Sequence, residues 1–251
     1  MTQKIIGFDR DLDLEWLDAA AALAVSGASG DAARDSLAKL MSGKLSSGTP
    51  RGALQKTTTL LKRIWLEPDD VRRPLRDDAS RVLADLDADG RLAAHWCLTI
   101  AAYPFFCDVM SAIGRLLTLQ DRVSLNLVTR RMIEGWGART TLPRAVRRVI
   151  RSSVQWGVLE DCAEKGVYMF SRPSTPLPIE LEVLMVEAVL LASGQESSSF
   201  DQLAGHPALF PFRMTITPTD LRGATRLEVH RQGLDMDVVE RRRGALSANM
   251  R

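Results

Sequence analysis

Four arginines, Arg144, Arg147, Arg148 and Arg151, are spaced so that they could share one chemistry. Intervals of three and four put them on one face of a helix, with Leu142, Val146, Val149, Ile150 and Ser153 opposite. Guanidinium groups clustered in this way bond phosphates, or a guanine edge, in pairs, which a lysine ammonium does not reproduce. The charge is local. Residues 122–151 contain eight arginines and one acid, Glu134, a net of +7, while the whole 251-residue chain is +2. Concentrated positive charge is what phosphate binding needs. Arg130, Arg131 and Arg139 precede the four, and Lys165 and Arg172 follow them as secondary candidates.

The elements that must position these side chains can be read around them. Leu125, Val128, Met132 and Ile133 form the inner stripe of a helix from near Ser124 to Gly135. Gly137-Ala138-Arg139 is a short turn. Thr140 and Thr141 can cap the arginine-rich helix through a hydroxyl, and Pro143 suits its first turn. Gly157 ends it. Val158 to Glu160 and Val167 to Phe170 then read as two strands around a turn at Glu164-Lys165-Gly166. Helix, turn, basic helix and hairpin in that order predict a winged helix-turn-helix over residues 121–172. That fold mostly holds DNA and sometimes protein. Three readings of the basic helix stand together: contact with DNA or RNA, a degenerate winged helix that contacts protein, and a solvated basic face.

Other chemistry is not visible. There is no Gly-rich phosphate loop, no Cys-x-x-Cys, no His-x-x-x-His and no Gly-x-Ser-x-Gly turn. His95, His206 and His230 share no constellation, and His95 reads as a bonded core histidine. Asp69-Asp70 and Asp77-Asp78 fall in polar segments where a raised pKa is not expected. Asp85, Asp87 and Asp89 look like a calcium loop, but Trp96 stands where the twelfth-position glutamate would be. Neither catalysis, nor a metal, nor a cofactor is therefore expected.

Composition fits a globular protein with 45% hydrophobic and 25% charged residues. Cys97, Cys107 and Cys162 are too few and scattered for a disulfide framework. No charged-then-apolar leader opens the chain, so a cytoplasmic location is expected, and no membrane partner. Helices are expected over Leu14–Ser26, Asp31–Met41, from Thr49-Pro50 to Trp65, and over Val71–Leu86 with a split at Pro74. Leu92 to Leu119 is apolar nearly all round, so it predicts a central helix pair broken at Tyr103-Pro104. Pro173 to Pro178 reads as a rigid connector, and Ile179 to Ala192 as an apolar helix. The apolar loop Pro207 to Phe212 packs either on a partner or on the core. Thr225–Arg231 and Leu234–Val239 form a hairpin around Gln232-Gly233. This order is compatible with a second, degenerate winged helix. The expected fold class is mainly α: a helical part over residues 1–120, the winged helix over 121–172, and an α+β region over 179–240.

The layout of residues 14–172 resembles the BrxA-type proteins of bacterial bacteriophage-exclusion (BREX) defence systems. The early helix pair ending at Met41 and the helix introduced by Ser46-Ser47-Gly48-Thr49 and closing in Leu61-Lys62-Arg63 carry the resemblance. So do the apolar centre and the later helix ending in Val154-Gln155-Trp156-Gly157-Val158-Leu159. The resemblance implies a non-enzymatic accessory that binds double-stranded DNA beside other defence-system proteins. A transcription regulator, or a scaffold docking through the loop at 207–212, is the alternative.

Overall fold

The computed structural model describes residues 5–44, 50–171, 175–233 and 236–242. The chain is mainly helical, with three small sheets among the described residues. After an extended segment come α1 (Leu14–Val25), α2 (Gly30–Met41) and α3 (Pro50–Leu61), which continues as one π-helical turn, Lys62–Leu66. The cap expected at Thr49 lies outside the described residues. Helix α4 (Arg73–Val82) has Pro74 in its first turn. Pro74 therefore starts this helix and does not split it, because the missing N–H is an orphan there anyway. Asp87, from the acidic run, caps α5 (Ala88–Ala102) by accepting the Gly90 N–H at 2.8 Å.

Helix α5 and α6 (Pro104–Leu117) meet at 117° where Pro104 breaks the apolar run. Both are largely buried, and they form the centre of the molecule. Among the described residues no single helix is long and apolar enough to cross a membrane. Trp96 of α5 packs edge-on against Phe106, Trp156, Phe210 and Phe212, with ring centroids 5.1–6.1 Å away. Its indole N–H donates to the Ala208 carbonyl at 3.0 Å.

Two units of like topology follow. In the first, β1 (Arg122–Ser124) leads into α7 (Leu125–Trp136), α8 (Leu142–Gln155), and the hairpin β2 (Leu159–Asp161) and β3 (Val167–Phe170), with strand order β1-β3-β2. Next come β4 (Thr175–Pro176) and α9 (Ile179–Ser193). The second unit is β5 (Ser197–Ser199), α10 (Phe200–Ala204), a 3-10 turn Pro207–Leu209, β6 (Phe212–Arg213), α11 (Pro218–Leu221), β7 (Leu227–Gln232) and β8 (Met236–Arg241). Its strand order, β5-β8-β7, repeats the first. Both first strands end on a serine that caps the next helix: Ser124 accepts the Leu127 N–H and Ser199 the Gln202 N–H. Helix α11 has only four residues, so the second unit lacks a long helix in the place of α8.

One contiguous core runs from Phe8 to Val239 and joins all of these parts. The apolar loop at 207–212 belongs to it: Ala208, Leu209 and Phe212 are buried. Its 3-10 turn lies on α6 at Gly114, where a Cβ would sit 2.1 Å from the Pro207 carbonyl oxygen. The connector is pinned as well, since β4 pairs in parallel with β6. Helix α9 is apolar on all sides but buries two acids. Glu182 accepts the N–H groups of Thr215 and Ile216 at 2.6 Å each and the Thr215 hydroxyl at 2.8 Å. Glu187 holds the Arg226 guanidinium through two bonds of 2.8 and 2.7 Å, and Arg226 also binds Asp78. Asp78, expected to lie in the open, is thus half-buried and paired.

Candidate nucleic-acid interface

Helix α8 separates its two faces sharply. Leu142, Ala145, Val146, Val149, Ile150, Ser152 and Ser153 are buried. Arg144 and Arg147 are exposed, and Arg148 and Arg151 half-exposed, on the other side. Trp156, at the end of the helix, fastens it by donating to the Leu12 carbonyl at 2.8 Å. Helix α7 is fastened in the same way. Trp136 donates to Asp108 of α6 at 2.8 Å and stacks edge-on to Phe105 at 5.0 Å. Two aromatic anchors of this kind are each worth about 0.5–1.5 kcal/mol beyond their buried area. They hold the basic helix on a rigid base.

Two local expectations are corrected. Thr141 does not cap α8 through its hydroxyl, because its backbone is already helical (φ −83°, ψ −19°). Pro143 also removes one of the N–H groups such a cap would accept. Ile133 is 37% exposed and does not belong to the inner stripe of α7, which is Val128, Met132 and Trp136.

The four arginines share a face, as their spacing requires, but they differ in company. Arg148 Nη1 lies 2.6 Å from Asp11 Oδ1, and Arg151 Nη1 2.7 Å from Asp161 Oδ2. The expectation that only Glu134 was at hand to neutralise them does not hold. Glu134 instead pairs with Arg131 at 3.4 Å. Asp161 raises the Arg151 pKa further, chiefly through their hydrogen bond. Among the described residues Arg144 and Arg147 have no acidic partner, and neither do exposed Arg130 on α7 and Lys165 at the hairpin turn. Arg139 is half-buried in the turn between α7 and α8. Arg172 lies outside the described residues.

The acids that meet the basic face could not be found by looking nearby. Asp11 arrives from 137 positions away, on an extended segment whose neighbours Phe8 and Leu12 are fully buried. Apolar residues at 8 and 12 with acids at 9, 11 and 13 were the available signal that this segment docks. Asp161 follows from the hairpin register, which places it across from Tyr168.

Elsewhere, a groove of about 590 Å³ is lined by Gly114, Leu117, Thr118, Asp121, Arg122, Met169, Phe170 and Phe210. It is shallow and carries no cluster of titratable groups beyond Asp121 and Arg122. Among the described residues no three His, Cys, Asp or Glu side chains gather to hold a metal ion. Comparison with known protein families, curated proteins and solved structures finds no match to this chain.

Proposed function

We propose that residues 121–172 are a winged helix-turn-helix that holds duplex DNA with α8 as its recognition helix. The chain would serve as a non-enzymatic DNA-binding accessory of a bacterial, BREX-like phage-defence system. One observation carries the reading: α8 presents Arg144 and Arg147, exposed and without an acidic partner among the described residues, on a helix held rigidly from behind. A helix of this width fits the major groove, where arginine bonds phosphates and guanine edges. Arg130, Arg139, Lys165 and Arg172 would add contacts from α7, the turn and the wing. The scaffold reading relied on the loop at 207–212, and that loop is spent on the core.

The test is fluorescence anisotropy with one duplex at several salt concentrations, comparing the native chain with Arg144→Ala/Arg147→Ala. The variant should lose about 1–3 kcal/mol for each base-edge contact removed. Its salt slope should shrink by roughly one unit for each phosphate contact removed. Its melting temperature should hold, because exposed charges add little to stability. Equal affinities and slopes, with folding intact, would mean that α8 is not the DNA surface.

A further inference from the structure

The basic face of α8 is divided along its length. Arg144 and Arg147, nearer its start, have no acid against them among the described residues; Arg148, the next residue, and Arg151, nearly one turn on, each lie against a carboxylate. Both carboxylates are delivered by elements that cannot drift away. Leu12, next to Asp11, donates its N–H to Ser152 Oγ at 2.9 Å and accepts the Trp156 indole N–H at 2.8 Å. Asp161 ends β2 in register with Tyr168 of β3. The Arg148 and Asp11 side chains are 32% and 33% exposed, and Arg151 and Asp161 36% and 52%. Ion pairs so open to water contribute little to stability. Their position on the one face of α8 that carries four arginines is then better explained by what that face meets.

We propose that Asp11 and Asp161 are specificity determinants of this face, holding Arg148 and Arg151 and repelling phosphates from that part of α8. The inference rests on the duplex-binding reading above. A phosphate reaching Arg148 must share its guanidinium with a carboxylate already 2.6 Å from Nη1, and meets the repulsion of that charge. The duplex is therefore met through Arg144 and Arg147, toward the N-terminal end of the helix, the part of a recognition helix that reads base edges. Nonspecific affinity comes almost wholly from phosphate contacts and the counterions they release. Two carboxylates that cancel two such contacts lower nonspecific binding and leave base reading by Arg144 and Arg147 in place.

The experiment titrates the full chain, Asp11→Asn, Asp161→Asn, Asp11→Asn/Arg148→Ala and Arg144→Ala/Arg147→Ala onto a short mixed-sequence duplex. Asn keeps the shape of the side chain and leaves the Leu12 anchors untouched, and thermal melts check folding. Asp11→Asn should bind more tightly, with a salt slope steeper by about 0.9, so that its advantage shrinks about 3.5-fold between about 50 and 200 mM salt. Asp161→Asn should behave alike. The gain should vanish in Asp11→Asn/Arg148→Ala. If Asp11→Asn and Asp161→Asn match the native chain while Arg144→Ala/Arg147→Ala loses binding, this proposal falls and the DNA reading stands. A gain that persists without Arg148 also overturns it, since bulk charge would then be the cause. If no form binds the duplex, both readings fall.

Discussion

Acidification should weaken the fold at one buried histidine before any carboxylate is touched. His95 is fully buried, and Trp65 Nε1 donates to its Nδ1 at 3.0 Å. An indole N–H can only donate, so Nδ1 must carry the lone pair and the proton sits on Nε2, facing Asp18 Oδ1 at 3.1 Å. A second proton would point Nδ1–H at another N–H. Burial lowers the His95 pKa from its ordinary 6.5, and the Asp18 carboxylate opposes this only in part. The folded state thus binds fewer protons than the unfolded chain as pH falls through 6.5. This stability is complete above that pH and is lost below it, at a limiting slope of about 1.4 kcal/mol per pH unit. His206, lowered mainly by burial and then by Arg115, has the same sign and adds to the loss. Asp18, held down by its bond to His95, loses stability only as pH falls below the ordinary 3.8. Urea unfolding followed by tryptophan fluorescence from pH 8 to 5.5 reads the slope, and His206→Asn isolates the His95 share. Trp65→Phe should lessen the slope only in part, because it removes the opposing N–H but leaves the imidazole buried. A midpoint that does not move between pH 7 and 5.5 in the His206→Asn protein would refute the buried neutral imidazole.

Two other expectations follow from packing. Gly114→Ala sets a methyl 2.1 Å from a backbone oxygen, which must shift; overpacking of about 1–3 kcal/mol should lower the melting temperature by roughly 2–12 °C, and an unchanged melt would count against the α6 contact. Glu182→Leu strands the Thr215 and Ile216 N–H groups at about 1–3 kcal/mol each, whereas Glu182→Gln keeps an acceptor for both. Denaturant midpoints that fall equally in the two variants would show that those bonds are not what holds the loop.

Local signals in the chain were legible where a single residue type dictates the backbone. Pro104 marks the bend between α5 and α6, Gly166 takes a positive φ (79°) at the hairpin turn, and β3 spans Val167–Phe170 as its apolar run requires. The spacing of Arg144 to Arg151 also placed them correctly on one face. What could not be read was long-range pairing. Asp11 beside Arg148, Glu187 with Asp78 around Arg226, and Pro207 against Gly114 join residues 39 to 148 positions apart. Asp11 is near α8 in space and far along the chain, so local spacing does not reveal it. The loop at 207–212 shows the same limit. An apolar stretch looks alike whether it meets a partner or its own core, and a missing Cβ at Gly114 made room for the second.

The segment around Leu12 also fixes an order of assembly. Its partners Ser152 and Trp156 lie 140 and 144 residues further on. At about 5–20 residues per second, a ribosome takes roughly 7–30 s to supply them. Until then Leu12 lacks the α8 partners that hold it, and this earlier-made segment is among the last to settle. Contacts of such long range make folding slow, because the loop must close before they add anything. A bulky fusion placed ahead of Ile5 would burden that last step, whereas one carried after the second hairpin would not. Refolding rate, more than final stability, is where the difference between the two placements should be sought.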